Sequence, residues 1–367
     1  MILPVSEAQF FSEFWQQKPL LCPQAFADFS SPITPEELAG LAMEPSAESR
    51  LVWQRGGAWQ QQLGPFNEDD FQREGPWTLL VQRVDQWFHE VSALRKDLPQ
   101  IPQWRFDDVM VSYATDGAGV GPHFDRYDVF LLQGSGRREW RLGPHCDDNT
   151  PQLSENELSL IPPFESDDTF ILEPGDVLYV PPGVAHWGIA RGACMTYSLG
   201  FRAPSVANLL ARRVDRVLER LSDAALLEDG LAATLPTRPG EITAAHIANA
   251  RDAMHNAIDA LDDQLWLGEV VTEINEDSGH AAPPIDTQLM HHALQLHPEH
   301  KVAWMERRDR VDLFVDGTHF EIPLCELPYA INLCSGDSCD RKTLADKAAE
   351  LYEILSDSGA LTAHSES

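Results

Sequence analysis

The chain is short of several things, and each shortage removes a class of function. No run of apolar residues approaches the roughly 20 needed to cross a bilayer, so no membrane span is expected. Basic residues are scarce: 27 Lys and Arg stand against 58 Asp and Glu, a net charge of −31. Bare nucleic acid selects a basic face, so direct nucleic-acid binding is not expected. Six cysteines, at 22, 146, 194, 325, 334 and 339, include no C-x-x-C pair. They read as free thiols in a reducing cytoplasm. The first residues carry no basic segment and no cleavage site, so no secretory signal is expected and the cytoplasm is the expected compartment. Internal repeats are absent. The acidity reads either as that of an ordinary soluble acidic cytosolic protein or as a field that attracts a basic protein or peptide, and a salt-rich habitat also selects it.

With 367 residues, 43% of them apolar, the chain is globular and long enough for two or three domains. Residues 1–204 are rich in Pro, Gly and aromatics. Val109, Val111 and Tyr113 alternate with other residues over 108–114, the period of a strand. Runs at 127–133 and 137–142 flank Gly134-Ser135-Gly136, which predicts a β-hairpin. Further short strands are expected at 169–173, 176–180 and 195–201. Many short antiparallel strands with such punctuation indicate a jelly roll. Helices are expected at 6–17 and at 34–43, the latter opened by Thr34 as N-cap and Pro35 at the first helical position.

Residues 205–280 change character. Leu209, Leu210, Val214, Val217 and Leu221 form one helical stripe after Ser205. Ile247, Ala250, Met254, Ile258, Leu261 and Leu265 form another. Two helices are too thin to bury both stripes alone, so they pack on the barrel or on a second copy, which makes this a candidate homodimerisation region. A polar stretch at 275–284 reads as a linker. Residues 281–367 read as a small α+β unit with a type I′ hairpin at Asp316-Gly317, helices at 289–296 and 342–356, and a disordered end at 363–367. Helices around one hairpin resemble a winged helix.

The chemistry lies in two short segments. GPHFD contains His123 and Asp125, and GDVLYVPPGVAH ends in His186. On a strand, residues i and i+2 share a face, so His123 and Asp125 are expected to point together. His-x-Asp with one later His is the spacing of a 2-His-1-carboxylate triad, which leaves positions open on non-haem Fe(II) for a cosubstrate and O₂. His291, His292 and His297 lack such a context and read as surface groups. Further on, Arg138, Trp140 and Leu142 share one strand face, apolar apart from Arg138. A buried guanidinium needs an anion: either a bound carboxylate or a core acid.

These motifs carry a resemblance. GxxxxxHxD followed by GDxxxxPxGxxH is similar to the cupin superfamily, and HxD in place of HxH resembles the JmjC-type 2-oxoglutarate oxygenases. The segment from Phe11 to Leu20, with Trp15, Lys18 and Pro19, resembles the F-x-x-x-W-x-x-K-P-L signature of the ribosomal oxygenases. Residues 112–142 and 197–204 look close to the bacterial branch of that family. The resemblance implies an α+β protein: a double-stranded β-helix (jelly-roll, JmjC) barrel with N-terminal helices over 1–204, a helical dimerisation region over 205–280, and a winged-helix-like domain over 281–367.

It also implies the site. His123, Asp125 and His186 would hold Fe(II). Arg138, fifteen positions past the first His, would hold the distal carboxylate of 2-oxoglutarate, with Ser198 and Thr196 as further hydrogen-bonding groups. The implied reaction uses O₂, releases succinate and CO₂, and hydroxylates an arginine side chain at Cβ on ribosomal protein L16. A carboxylate at the cleft mouth is then expected to hold the guanidinium. Asp116, in the loop before His123, is the first candidate, against a plain loop-capping role. Tyr127 is a second substrate-binding candidate and Asp128 a reserve. The rival readings are an oxygenase of the same iron chemistry acting on His or Asn, a cupin enzyme without 2-oxoglutarate, and a binding protein on a degenerate cupin.

Overall fold

A computed structural model describes residues 1–153, 158–166, 168–222, 224–228, 239–260, 264–274 and 293–363. The first nine strands are β1 (Leu20–Cys22), β2 (Ser49–Arg55), β3 (Ala58–Leu63), β4 (Trp77–Val81), β5 (Phe106–Ala114), β6 (Asp128–His145), β7 (Asp168–Leu172), β8 (Val177–Val180) and β9 (Val184–Phe201). They form one sheet in the order β1-β8-β6-β9-β5-β4-β2-β3, with β7 on β6, and all the recorded pairs are antiparallel.

The expected hairpin at 134–136 is not there. β6 runs unbroken through Gly134-Ser135-Gly136, and it pairs β9 on both sides of register shifts at those residues. The glycines act as a bend in place of a turn. Gly136 has φ of 63°, and a Cβ on it would run into the carbonyl of Ala193. Bent this way, β6 and β9 each serve two layers: one half closes on β7, the other on β8 and β5. The barrel results from that fold-over.

The N-terminal segment plugs onto this barrel. Helix α1 (Glu7–Gln9) is capped by Ser6 and continues as a π-helical turn to Phe14, shorter than the expected 6–17. Phe10 is fully buried, and Trp15 stacks on Tyr179 with ring centroids 5.7 Å apart. The Tyr179 hydroxyl donates to buried Asp128 at 2.6 Å and accepts the Gln16 N–H at 2.7 Å, and Arg105 pairs with the same carboxylate at 3.1 Å. Asp128 is therefore a structural acid, satisfied inside the barrel wall. Helix α2 (Pro35–Leu41) starts as expected, with Thr34 and Glu37 forming a reciprocal capping box. A one-turn helix, α3 (His89–Ala93), precedes β5.

Beyond the barrel lie α4 (Val206–Arg220), capped by Ser205, α5 (Ala244–Asp259) and α6 (Trp266–Thr272). Leu210, Leu218, Ile247 and Met254 are each more than half exposed. Val217 of the first stripe is buried, the residues just named stay open to solvent, and Leu261 of the second stripe lies outside the described residues. The last unit contains β10 (Ala293–Leu296), β11 (Val302–Glu306), β12 (Arg310–Val315), β13 (Thr318–Pro323), α7 (Leu327–Cys334), β14 (Cys339–Asp340), α8 (Arg341–Lys347), α9 (Ala349–Asp357) and β15 (Leu361–Ala363). It has its own core, with Leu313, Leu344 and Leu351 fully buried. The Asp316-Gly317 hairpin is present, both residues having positive φ.

Three expectations in this unit are corrected. Residues 293–296 form a strand pairing β14 and β15 where a helix was expected; the start of that helix, the 275–284 linker, His291 and His292 lie outside the described residues. The helix over 342–356 is two, broken at Ala348, where φ of −142° is incompatible with a helix. His297 is not a surface group: burial beside His300 pushes its pKa down to about 4. Ala363 ends β15, and the rest of the expected disordered end, 364–367, is outside the described residues.

Candidate active site

His123 does not sit in a strand. It forms an isolated bridge with His186 at the start of β9, the two backbones exchanging N–H···O bonds of 3.1 and 2.8 Å. That bridge sets the two rings side by side, with centroids 4.3 Å apart. Each Nδ1 lies 3.0 Å from a backbone carbonyl, Gly121 for His123 and Val184 for His186. A carbonyl only accepts, so each Nδ1 carries the proton and each Nε2 keeps its lone pair. Asp125 Oδ2 is 3.5 Å from His186 Nε2. Ligand atoms of all three residues lie within 4.8 Å of one another. Burial pushes the His186 pKa down to about 4, and His123 adds to the effect. His186 is thus neutral and able to ligate at neutral pH. Two oriented imidazoles and one carboxylate fit a divalent metal that keeps open positions.

The triad opens into a cavity of about 260 Å³ that also holds Arg138, Trp140, Ser112 and Ser198. Arg138 is 5% exposed. Its Nη1 donates to Ser112 Oγ at 3.1 Å, while Nε and Nη2 are buried with no hydrogen-bond partner among the described residues. The neighbouring acid, Glu139, is taken by Arg141 and Arg191. No core acid among the described residues pairs with Arg138, so the alternative of a structural ion pair is not met. A guanidinium with two open donors, one strand away from the triad, fits the far carboxylate of a short dicarboxylic acid.

The other expected residues divide. Ser198 lines the cavity, and Tyr127 lines it with the Arg202 guanidinium 4.7 Å from its ring centroid. Thr196 does not line it: its hydroxyl is buried and donates to Gln133 at 3.1 Å. Asp116 is corrected outright. The segment before His123 runs antiparallel to β9, so His123 faces His186 while Asp116 caps the N–H of Gly192 at 2.7 Å. Six residues of strand separate His186 from Gly192, about 20 Å. Asp116 therefore stands in a turn beside the middle of β9, well away from the triad, and caps the backbone there.

A pair of acids lies beside the triad cavity. A smaller pocket of about 180 Å³ shares Gln82, Met110, Tyr127 and Ser198 with the triad cavity and adds Asp107 and Asp108. Asp107 is paired with Arg202. Among the described residues, Asp108 has one recorded hydrogen bond, from the Arg83 backbone N–H at 3.1 Å. Burial, helped by Asp85 and Asp107, pushes its carboxyl up to about 7. Ser112, which holds Arg138, was missed, although strand alternation places it on the cavity face of β5.

Residues 93–209 match the model of the JmjC domain. Over 290 residues the chain is 38% identical to the ribosomal protein uL16 3-hydroxylase of Escherichia coli, covering 77% of this chain and 75% of that protein. The chain belongs to the JmjC-domain ribosomal oxygenases. It is also 37% identical over 204 residues to a probable ribosomal oxygenase of Haemophilus influenzae, covering 55% of this chain and 50% of that one. Among solved structures, the ribosomal oxygenase YcfD of Escherichia coli superposes with a TM-score of 0.77 at 31% identity, over 98% of each chain. The same protein in complex with cobalt and 2-oxoglutarate superposes at 0.76, with 32% identity over 98% of each chain. The expected family and its jelly-roll barrel therefore hold.

Proposed function

We propose that this ribosomal oxygenase is an Fe(II)- and 2-oxoglutarate-dependent protein hydroxylase acting on an arginine side chain of ribosomal protein L16. The observation that carries the reading is Arg138, a buried cation with two open donors in the cavity that ends at the triad. When bound, iron, 2-oxoglutarate and O₂ together supply the oxidising power that puts one oxygen atom into an unactivated C–H bond, releasing succinate and CO₂. His123, Asp125 and His186 are the residues that would hold the metal. Arg138 and Ser112 orient the dicarboxylate, and Ser198 offers a further hydroxyl on the same wall.

Asp108 takes the substrate role that Asp116 cannot. Asp108 is a half-buried carboxylate with no recorded ion pair, and Arg202, which eases its ionisation, is engaged by Asp107, so a substrate guanidinium would find an acceptor there. Tyr127 walls the same pocket, with one arginine, Arg202, already against its ring. Charged and titratable groups around it are Arg83, Asp85, Asp107, Arg202 and Tyr127. Only the ionised form of Asp108 binds a cation, so the KM for an arginine peptide is expected to fall as pH rises through about 7. Asp108→Asn is expected to raise that KM about tenfold, the loss of one charge-assisted hydrogen bond, and to flatten its pH dependence. An unchanged pH profile in this variant would remove Asp108 from the substrate site.

The direct test is incubation with Fe(II), 2-oxoglutarate and an arginine-containing L16 peptide, reading a mass gain of one oxygen atom. Turnover of a His-containing ribosomal peptide in its place would overturn the arginine assignment and keep the reaction class. The exposed stripes of α4 and α5 support a homodimer through this region, and sedimentation is expected to give twice the chain mass. The acidic surface suits a basic ribosomal protein and a cytoplasmic site of action, and the C-terminal unit is read as winged-helix-like without a nucleic-acid role. No helix among the described residues is long and apolar enough to cross a membrane.

A further inference from the structure

Five buried side-chain polar atoms find no hydrogen-bond partner among the described residues, and four of them belong to residues lining the triad cavity. Two are on Arg138. The other two are Thr78 Oγ1 and Trp140 Nε1, on residues only 1% and 5% exposed. Buried polar groups are normally satisfied, because an unmet donor forfeits its hydration for nothing. Two further donors beside an unsatisfied guanidinium are therefore an arrangement that asks for an acceptor-rich guest.

Their positions are set by the sheet. Thr78 pairs with Ala114 across β4 and β5, and Ser112, two residues along, is the group that holds Arg138. Thr78 thus stands beside the cation end of the cavity. Trp140 lies two residues from Arg138 on the same face of β6. Its ring centroid is 5.7 Å from the Arg138 guanidinium carbon and 5.8 Å from the His186 ring, so the indole spans from the cation to the triad. Gly188 makes room for it: a Cβ there would sit 2.8 Å from the indole. A ring seated this closely has its N–H direction fixed.

We infer that Thr78 and Trp140 are positioning residues for the cosubstrate: the Thr78 hydroxyl is a second donor to the distal carboxylate beside Arg138, and the Trp140 indole N–H donates to an oxygen of the same dicarboxylate. This rests on the reading of the cavity as a 2-oxoglutarate site. It explains why a cavity wall keeps a hydroxyl and an indole N–H where apolar side chains would carry no unmet donor.

The test measures binding and stability without turnover. In the Zn(II)-loaded full chain, 2-oxoglutarate affinity is read by calorimetry for wild type, Thr78→Val, Trp140→Phe and Arg138→Met. Each of the first two variants is expected to weaken binding about ten- to 100-fold, what one hydrogen bond to a charged acceptor supplies. The ligand-free melting temperature of Thr78→Val should stay level or rise, because the unmet hydroxyl is gone. The indole N–H resonance that disappears in Trp140→Phe should shift downfield in wild type when 2-oxoglutarate is added. Wild-type affinity in either variant overturns the shared cradle, and a lower melting temperature with unchanged affinity makes Thr78 a structural residue instead. If wild type binds 2-oxoglutarate and Arg138→Met does not, these failures touch this inference alone. If wild type does not bind it, the cosubstrate reading falls and takes the inference with it.

Discussion

Asp125→Ala is expected to lower turnover by more than about 100-fold, beyond the range that loss of a mere supporting partner costs a metal site. The protein would remain folded. Asp125 is a fifth exposed at its side chain, and its recorded ion-pair contact is with His186 at 3.5 Å. Without it two neutral imidazoles are left, with no anion to offset a divalent charge, so iron content after dialysis should fall along with activity. His123→Ala should behave alike. The stability readout separates the ligand role from a structural one: a thermal melt close to wild type with lost iron supports it, whereas iron and activity retained in either variant would sink the triad itself.

The triad was legible in the sequence because metal chemistry constrains residue type and local spacing together. Arg138 was legible for a related reason: strand alternation left one cation alone on an apolar face, and burial turned that into a demand for an anion. Both inferences used only neighbours along the chain. The readings that failed were those needing to know which segments lie side by side. Asp116 is seven residues from His123 in sequence, yet the segment joining them runs along β9 away from the site, so closeness in sequence became distance in space. Asp108 is fifteen residues from His123 in the sequence and on another strand, but β5 pairs with β9 so that Met110 meets Ser198, and Asp108 follows it to the pocket beside the cavity. The glycines at 134 and 136 misled for another reason. They signal backbone freedom, and a turn and a strand crossing between two layers demand the same freedom. Only the long pairing of β6 with β9, a non-local fact, distinguishes the two.

Arg138→Leu is expected to raise the KM for 2-oxoglutarate by about 100-fold while leaving iron content unchanged. Such a loss corresponds to about 2.7 kcal/mol, within the range for charged hydrogen bonds. The sign of the stability change is the sharper part. Arg138 is a buried cation whose recorded hydrogen bond is to Ser112, so in the ligand-free protein no anion among the described residues offsets its desolvation. Replacing it with an apolar side chain should therefore leave the ligand-free melting temperature level or higher, with the gain in melting temperature on adding 2-oxoglutarate abolished. Arg138→Lys keeps the charge and loses the planar fork, so its KM should fall between wild type and Leu. A Leu variant that melts much lower without ligand would mean that Arg138 holds the barrel together. The open donors would then have a structural purpose, and the cavity would lose its claim to the cosubstrate.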